Sequence, residues 1–168
     1  MTADQPVLLV DTNVWVDGFD GSRPASKDAM ALFAYADAHH MTLAYPAASI
    51  KDVYYALALA MKRKCREEHG SLTEAQALIC NEYAWACVNS MRDIAVAVPV
   101  GEPQVWLACH YKDLHGDFED DLVLAALETS KADFLVTNDE TLRKKAPAGA
   151  FSAADMLTYL QARDEAGL

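Results

Sequence analysis

The chain has 168 residues, 52% hydrophobic and 23% charged, which excludes a disordered segment and suits one folded domain over residues 1–168. Its net charge of −11 is a poor match to nonspecific nucleic-acid binding and a better one to a carboxylate-rich site or a basic partner. The apolar runs are too short to span a membrane, and MTADQP has no basic cluster, so no signal peptide or membrane partner is expected and a cytoplasmic location follows by default.

The first predicted element is residues 7–10, VLLV, running straight into Asp11. So short a continuous apolar run suits a strand buried on both faces of a parallel sheet. Asp11 then stands at the strand's carboxyl end, where open α/β sheets bind ligands. It either caps a helix or contributes a carboxylate to a site, with Asn13 placed to orient it. Residues 18–24 read as a loop broken by Gly21, Ser22 and Pro24. Ser26 is expected to cap a helix to about residue 41, with Met30, Phe33 and Ala34 on one face.

Residues 42–45 form a short predicted strand closed by Pro46. Ser49 is expected to cap the next helix, whose apolar stripe is Ile50, Val53, Tyr54, Leu57 and Met61 and whose first turn carries Asp52. That helix ends in Lys62, Arg63, Lys64 and Arg66, either a solvated face or a contact for a phosphate backbone. Thr73 and Gln76 make a capping box that opens a long helix to about residue 91. Leu78, Ile79, Trp85 and Val88 are its expected core face.

Residues 94–98 are a third strand, and residues 101–112 a helix with Pro103 in its first turn, apolar at Val105, Trp106 and Cys109. His115-Gly116 ends it. The sequence DFEDDLVLAALETS from Asp117 opens a helix on an acidic turn. Residues 134–136 are a fourth strand, closed by Thr137, Asn138 and Asp139. A short helix with Arg143, Lys144 and Lys145 follows, then an edge strand within residues 147–151 and a helix over residues 152–162. The alternation predicts an α/β fold on a parallel sheet.

Cys80 and Cys87, seven apart on one expected helix, stand roughly 10 Å apart along its axis, too far for a disulfide. Neither the four cysteines nor the five histidines show zinc-ligand spacing, so reduced thiols are expected.

Three acids fall in equivalent places: Asp11 after the first strand, Asp52 in the helix after the second, Asp139 after the fourth. The DFEDD turn supplies another. Parallel strands bring these ends to one edge of the sheet. Two carboxylates about 5 Å apart repel by roughly 3 kcal/mol at an effective dielectric near 20. A hard divalent cation with oxygen ligands, Mg2+ or Mn2+, relieves that repulsion and supports hydrolysis of a phosphodiester. No Ser-His-Asp set, Gly-rich phosphate loop or cysteine nucleophile competes with this reading. An aspartyl-phosphate phosphatase needs D-x-D at its first strand, and Asn13 holds the second place.

The segments DTNVWVD at Asp11, SIKDVYYAL around Asp52, DFEDDLVLAA around Asp120 and FLVTND ending at Asp139 resemble those of PIN domains, the fold of many bacterial toxin ribonucleases of the VapC kind, over nearly the whole chain. The resemblance implies a three-layer α/β/α sandwich with a central parallel sheet of four or five strands in order 3-2-1-4-5. It implies a Mg2+- or Mn2+-dependent endoribonuclease leaving 3′-hydroxyl and 5′-phosphate ends. Asp11, Asp120 and Asp139 match its metal-binding acids. Asp52 matches a position usually held by Glu and joins the catalytic set with a shorter reach. Asn13 and Thr137 match supporting polar positions. Asp117 and Glu119 cap the helix or support the ligands from behind, and Asp121 is expected to face solvent. Lys62, Arg63, Lys64, Arg143 and Lys144 are the candidates to hold RNA. An RNA substrate, a small antitoxin protein and a homodimer are the implied partners. The alternative is a PIN-fold binding module with weak or no catalysis that acts through a protein partner.

Overall fold

The protein was analysed as a computed structural model, which describes residues 5–146 and 149–167; for residues 113–115 only the backbone is described. In chain order the elements are β1 (Leu8–Val10), α1 (Thr12–Phe19), α2 (Ser26–Ala38), β2 (Leu43–Pro46), α3 (Ser49–His69), α4 (Glu74–Ile94), β3 (Ala95–Val98), α5 (Glu102–His115), α6 (Phe118–Ser130), β4 (Phe134–Val136), α7 (Glu140–Lys145), β5 (Ala150–Phe151) and α8 (Ala153–Glu165). Five strands make one parallel sheet in the order β3-β2-β1-β4-β5, as the resemblance implies. Of the expected edge strand, Pro147 and Ala148 lie outside the described residues.

Successive side chains of a strand point to opposite faces, and here the two faces carry separate apolar clusters. Leu8 and Val10 of β1, Leu43 and Tyr45 of β2 and Val136 of β4 pack with α1, α2, α3, α4 and α8. Leu9, Ala44 and Leu135 pack on the other face against α6 and α7. Both clusters are needed because β1 is buried on both sides, which is why its sequence is continuously apolar rather than alternating. Chain order leaves β1 toward β2 and β3 and later returns to its other side at β4. The reversal puts a crevice beyond the carboxyl ends of β1 and β4.

Trp15 locks the entry of the chain into α1. It is fully buried, stacks on Phe33 at 4.6 Å between ring centres, and donates from Nε1 to the Val10 carbonyl at 3.2 Å. Gly18 lies against the same Phe33 ring: a Cβ there would overlap it, with Phe33 Cδ2 3.1 Å away. Gly18→Ala is therefore expected to destabilise by about 1–2 kcal/mol, lowering the thermal midpoint by roughly 3–6 °C. Calorimetry of the variant checks this.

Several local expectations hold, including the Thr73–Gln76 capping box and the stop at Gly116, which takes a left-handed φ of 74°. Others need correction. Ser26 and Ser49 are the first residues of α2 and α3 rather than their caps; neither preceding alanine makes a side-chain cap bond. In α2 the buried face is Ala29, Leu32 and Ala36, and Met30 is exposed. In α4 the buried residues are Cys80, Ala84, Cys87, Val88 and Met91, whereas Leu78, Ile79 and Trp85 are exposed. In α5, Val105, Trp106 and Cys109 are exposed, and Ala108 and Gln104 are buried. Among the described residues the cysteines are free, and no helix is long and apolar enough to cross a membrane.

Candidate active site

Asp11 begins the site. Its backbone N–H donates to the Val136 carbonyl at 2.9 Å, which extends the pairing of β1 with β4 by one residue and sets Asp11 beside Thr137. The residue is 7% exposed, and both carboxylate oxygens accept hydrogen bonds. Oδ1 accepts from the Thr12 N–H at 2.6 Å, and Oδ2 accepts from Asn13 Nδ2 and from Thr137 Oγ1, both at 2.7 Å. Asp11 thus caps α1 and also faces the crevice, so the two sequence readings describe one residue. Burial pushes its pKa up; the Thr137, Thr12 and Asn13 hydrogen bonds oppose that, and the Asp139 charge adds to it.

The other acids converge on this edge. A cleft of about 340 Å3 is lined by Asp11, Asn13, Asp52, Glu119 and Asp120, with Arg23 on its wall. Asp120 sits in the first turn of α6, and its pKa rises from 3.8 to about 6. Burial is the main cause, followed by the charges of Asp117, Asp139, Asp11 and Asp121. Asp139 caps α7 through Oδ1, which accepts from the Thr141 and Leu142 N–H groups, and its charge acts on both Asp11 and Asp120. Asp117 caps α6, accepting from the Glu119 and Asp120 N–H groups. Asp52 is half-buried in the first turn of α3, with Lys51 Nζ 3.2 Å from its carboxylate.

Asp121 corrects an expectation. It is 2% exposed rather than facing solvent, because on α6 it shares a face with Leu124 and Ala125, and its charge reaches Tyr111 of α5. The five basic residues singled out in sequence do not line the acid cleft. Arg63 and Lys64 border a second groove farther along α3, Lys62 is half-buried on that helix, Lys144 pairs with Glu140 at 2.7 Å, and Arg143 lies on α7.

Three residues escaped the sequence reading. Asp17, 3% exposed on α1, accepts at Oδ2 from Asn138 Nδ2 at 2.7 Å and pairs at Oδ1 with Arg23 Nε. Asn138 in turn donates its backbone N–H to Asn13 Oδ1 at 3.0 Å. One hydrogen-bonded series therefore runs from Thr137 and Asp11 through Asn13 and Asn138 to Asp17 and Arg23. The available signal was an acid at Asp17 closing the apolar turn Val14–Trp15–Val16.

Whether a metal suits this edge is decided by its donors. They are carboxylate oxygens, and two of the acids, Asp11 and Asp120, are held above the ordinary carboxylate range by burial and by neighbouring negative charge. That is the donor set and the unrelieved repulsion a hard divalent cation answers. Among the described residues no three His, Cys, Asp or Glu side chains stand close enough to hold an ion by themselves. Mg2+ needs only one or two direct carboxylates and keeps several waters, so the residues fit it.

Comparison with known proteins gives the same picture of the fold. No curated protein matches the chain. Solved structures do, at low identity. The structure of VapC20 from Mycobacterium tuberculosis, a Sarcin-Ricin loop cleaving toxin, superposes with a TM-score of 0.61 at 13% identity, over 82% of this chain and 93% of that one. VapBC2 from Rickettsia felis, bound to a DNA fragment from its promoter, gives 0.58 at 12% identity, over 87% and 98%. FitAcB from Neisseria gonorrhoeae gives 0.57 at 17%, over 87% and 97%. A family model described as PIN domain matches residues 7–141, most of the chain and every acid of the cleft, and the protein belongs to the PIN domain family.

Proposed function

We propose that the protein is a Mg2+- or Mn2+-dependent endoribonuclease and the toxin of a toxin–antitoxin pair, with residues 1–168 acting as one unit in the cytoplasm. The observation that carries this is the mutual electrostatic effect of Asp11, Asp120 and Asp139 at the edge of the sheet where β1 and β4 end. The family supports it, as do neighbours described as a Sarcin-Ricin loop cleaving toxin and as VapBC2 and FitAB bound to DNA fragments.

In this reading Asp11, Asp120 and Asp139 are the acids that would bind the cation, one or two of them directly and the remainder through water, and Asp52, one carbon shorter than Glu, acts from the far wall through water. When bound, the cation supplies Lewis acidity toward a phosphate oxygen and toward the attacking water. The chain does the rest. Thr137 and Asn13 fix the rotamer of Asp11 so that its carboxylate is presented in one orientation. Asp117 and Asp139 anchor the starts of α6 and α7. Arg63 and Lys64, in a groove that also holds Asp20 and Glu67, are the contacts for the RNA backbone outside the acid cleft. A small antitoxin with a basic segment suits a cleft this acidic, and a homodimer is the expected assembly. A binding module without catalysis is the other reading, favoured by Asp52 where Glu is usual.

Incubation of the protein with total RNA and 5 mM Mg2+ tests the proposal: cleavage to 3′-hydroxyl and 5′-phosphate ends, absent with EDTA, is expected, and intact RNA overturns it. Metal linkage is a second check. With a dissociation constant near 0.1 mM, about 1 mM Mn2+ should add roughly 1.4 kcal/mol, a rise of about 3–6 °C in the thermal midpoint. Because the cation competes with the proton on Asp120, held near 6, the dissociation constant should rise about tenfold per pH unit below that value. Calorimetric titration at pH 5, 6 and 7 reads this.

A further inference from the structure

We infer that Arg23 is a phosphate-binding residue of the acid cleft, built to hold a single-stranded RNA backbone next to the bond that is cut; this rests on the ribonuclease reading above. Among the described residues it is the only cation lining the cleft, which is otherwise edged by Asp11, Asp52, Glu119 and Asp120. A polyanion entering such a place meets repulsion from every acid not neutralised by metal, so a cation on the wall has a large effect on binding there.

Arg23 is held for this task at both backbone and side chain. Its N–H donates to the Asp20 carbonyl at 3.1 Å, and Asp20 itself accepts at Oδ1 from the Ser22 N–H at 3.1 Å and the Ser22 hydroxyl at 2.6 Å. Its Nε donates to the buried Asp17, which Asn138 grips from the other side. Among the described residues, neither terminal amino group of the guanidinium has a protein acceptor, and the side chain is 43% exposed. A guanidinium pinned at Nε presents its terminal N–H groups in a fixed fork, the geometry that binds phosphate in two-pronged fashion. The partner that pins it belongs to the same hydrogen-bonded series as Asp11, so the fork is registered to the acids.

The surroundings give the strand a path. Across the loop that carries Arg23 lies a groove of about 670 Å3 whose charged lining is Arg63 and Lys64 with Asp20 and Glu67. The helix α3 supplies Asp52 and Ala56 to the cleft and Leu57, Ala60 and Arg63 to the groove. Asp52 and Arg63 are roughly 16 Å apart along its axis, a few nucleotides of extended backbone. A strand leaving the acids therefore passes Arg23 before it reaches Arg63 and Lys64.

The test uses the full chain carrying Asp120→Asn, so that RNA survives, and a fluorescein-labelled single-stranded RNA of ten nucleotides in 5 mM Mg2+. Arg23→Ala is expected to weaken binding about fivefold to tenfold and to lower the salt slope by about 0.7, the loss of one phosphate contact to a single strand. Arg23→Lys should restore the slope but not the full affinity. Because Arg23→Ala leaves Asp17 buried without its cation, Arg23→Gln, which keeps a donor for Asp17, is measured alongside and should match Arg23→Ala in slope. With Asp120 intact, KM should rise by a similar factor while kcat stays within about twofold; a merely structural role would lower the active fraction and leave KM and the slope alone. An unchanged slope, or no RNA binding by any of the proteins, overturns the inference. RNA cleavage by the otherwise unaltered chain judges the underlying reading separately.

Discussion

Asp120→Asn is expected to lower RNA cleavage by at least about a hundredfold while making the metal-free protein slightly more stable. The loss follows from removing a carboxylate that faces the cleft, since weakening even the groups behind a metal ligand costs 10–100-fold. The gain follows from the pKa. In the fold Asp120 titrates at about 6 rather than 3.8, so between those values the folded state binds more protons than the unfolded one. Stability then falls as pH rises through that window and is lowest above about 6. Asparagine carries no charge to repel, and the penalty disappears. Once solvent screening of this half-exposed side chain is counted, the gain at pH 7.5 is about 1 kcal/mol. Melting the two proteins in EDTA at pH 5 and 7.5 reads both signs: the original chain should melt higher at pH 5 relative to the variant's own pH dependence, and the variant higher at pH 7.5. Equal cleavage by both proteins would remove Asp120 from the reaction.

Thr137→Val should be the most damaging single change at the site for stability. The hydroxyl is fully buried and makes three bonds: it donates to Asp11 Oδ2 and accepts from Asn13 Nδ2 at 3.0 Å and from the Asp139 N–H at 3.1 Å. Valine keeps the shape and removes all three. A hydrogen bond to a charged group is worth about 1.5–3 kcal/mol, and a buried donor left without a partner adds its own desolvation. The expected loss is about 3 kcal/mol, or roughly 6–12 °C in a chain of this length. Asp11 and Asp139 both lose a neighbour that orients them, so cleavage should fall as well. Thr137→Ser keeps the hydroxyl and should recover most of both losses. A valine variant melting within 2 °C of the original would show that the hydroxyl is not what joins the two strand ends.

The fold and the main acids were legible because they are local signals. A run such as VLLV before Asp11, or FLV before Thr137, has to be a strand buried on both faces, and the acid that follows then falls at a predictable edge. The helix faces were less legible. Leu78, Ile79 and Trp85 are as apolar as any core residue, but the side of α4 that enters the core with Val53, Leu57 and Ala58 of α3 carries Ala84, Cys87 and Met91, and Trp85 only rests its ring on Tyr54 while staying exposed. Asp121 was misplaced because one residue along a helix turns a side chain by about 100°, and only the position of α5 shows that this direction is inward. Asp17, Asn138 and Arg23 were unreadable for another reason. The acid at Asp17 was visible, but its bond to Asn138 spans 121 residues and its pairing with Arg23 crosses a loop, and local sequence names neither partner.

That span has a bearing on the birth of the protein. The carboxylate of Asp11 is braced by a hydroxyl 126 positions downstream, and β4, which leads into that residue, can pair with β1 only after the residues between them have been made. At translation speeds of about 5–20 residues per second, several seconds pass during which the ribosome holds a chain whose early acids have no completed pocket to serve. If the chain cuts RNA as proposed, a fragment ending before β4 lacks Thr137 and Asp139 and should be inert.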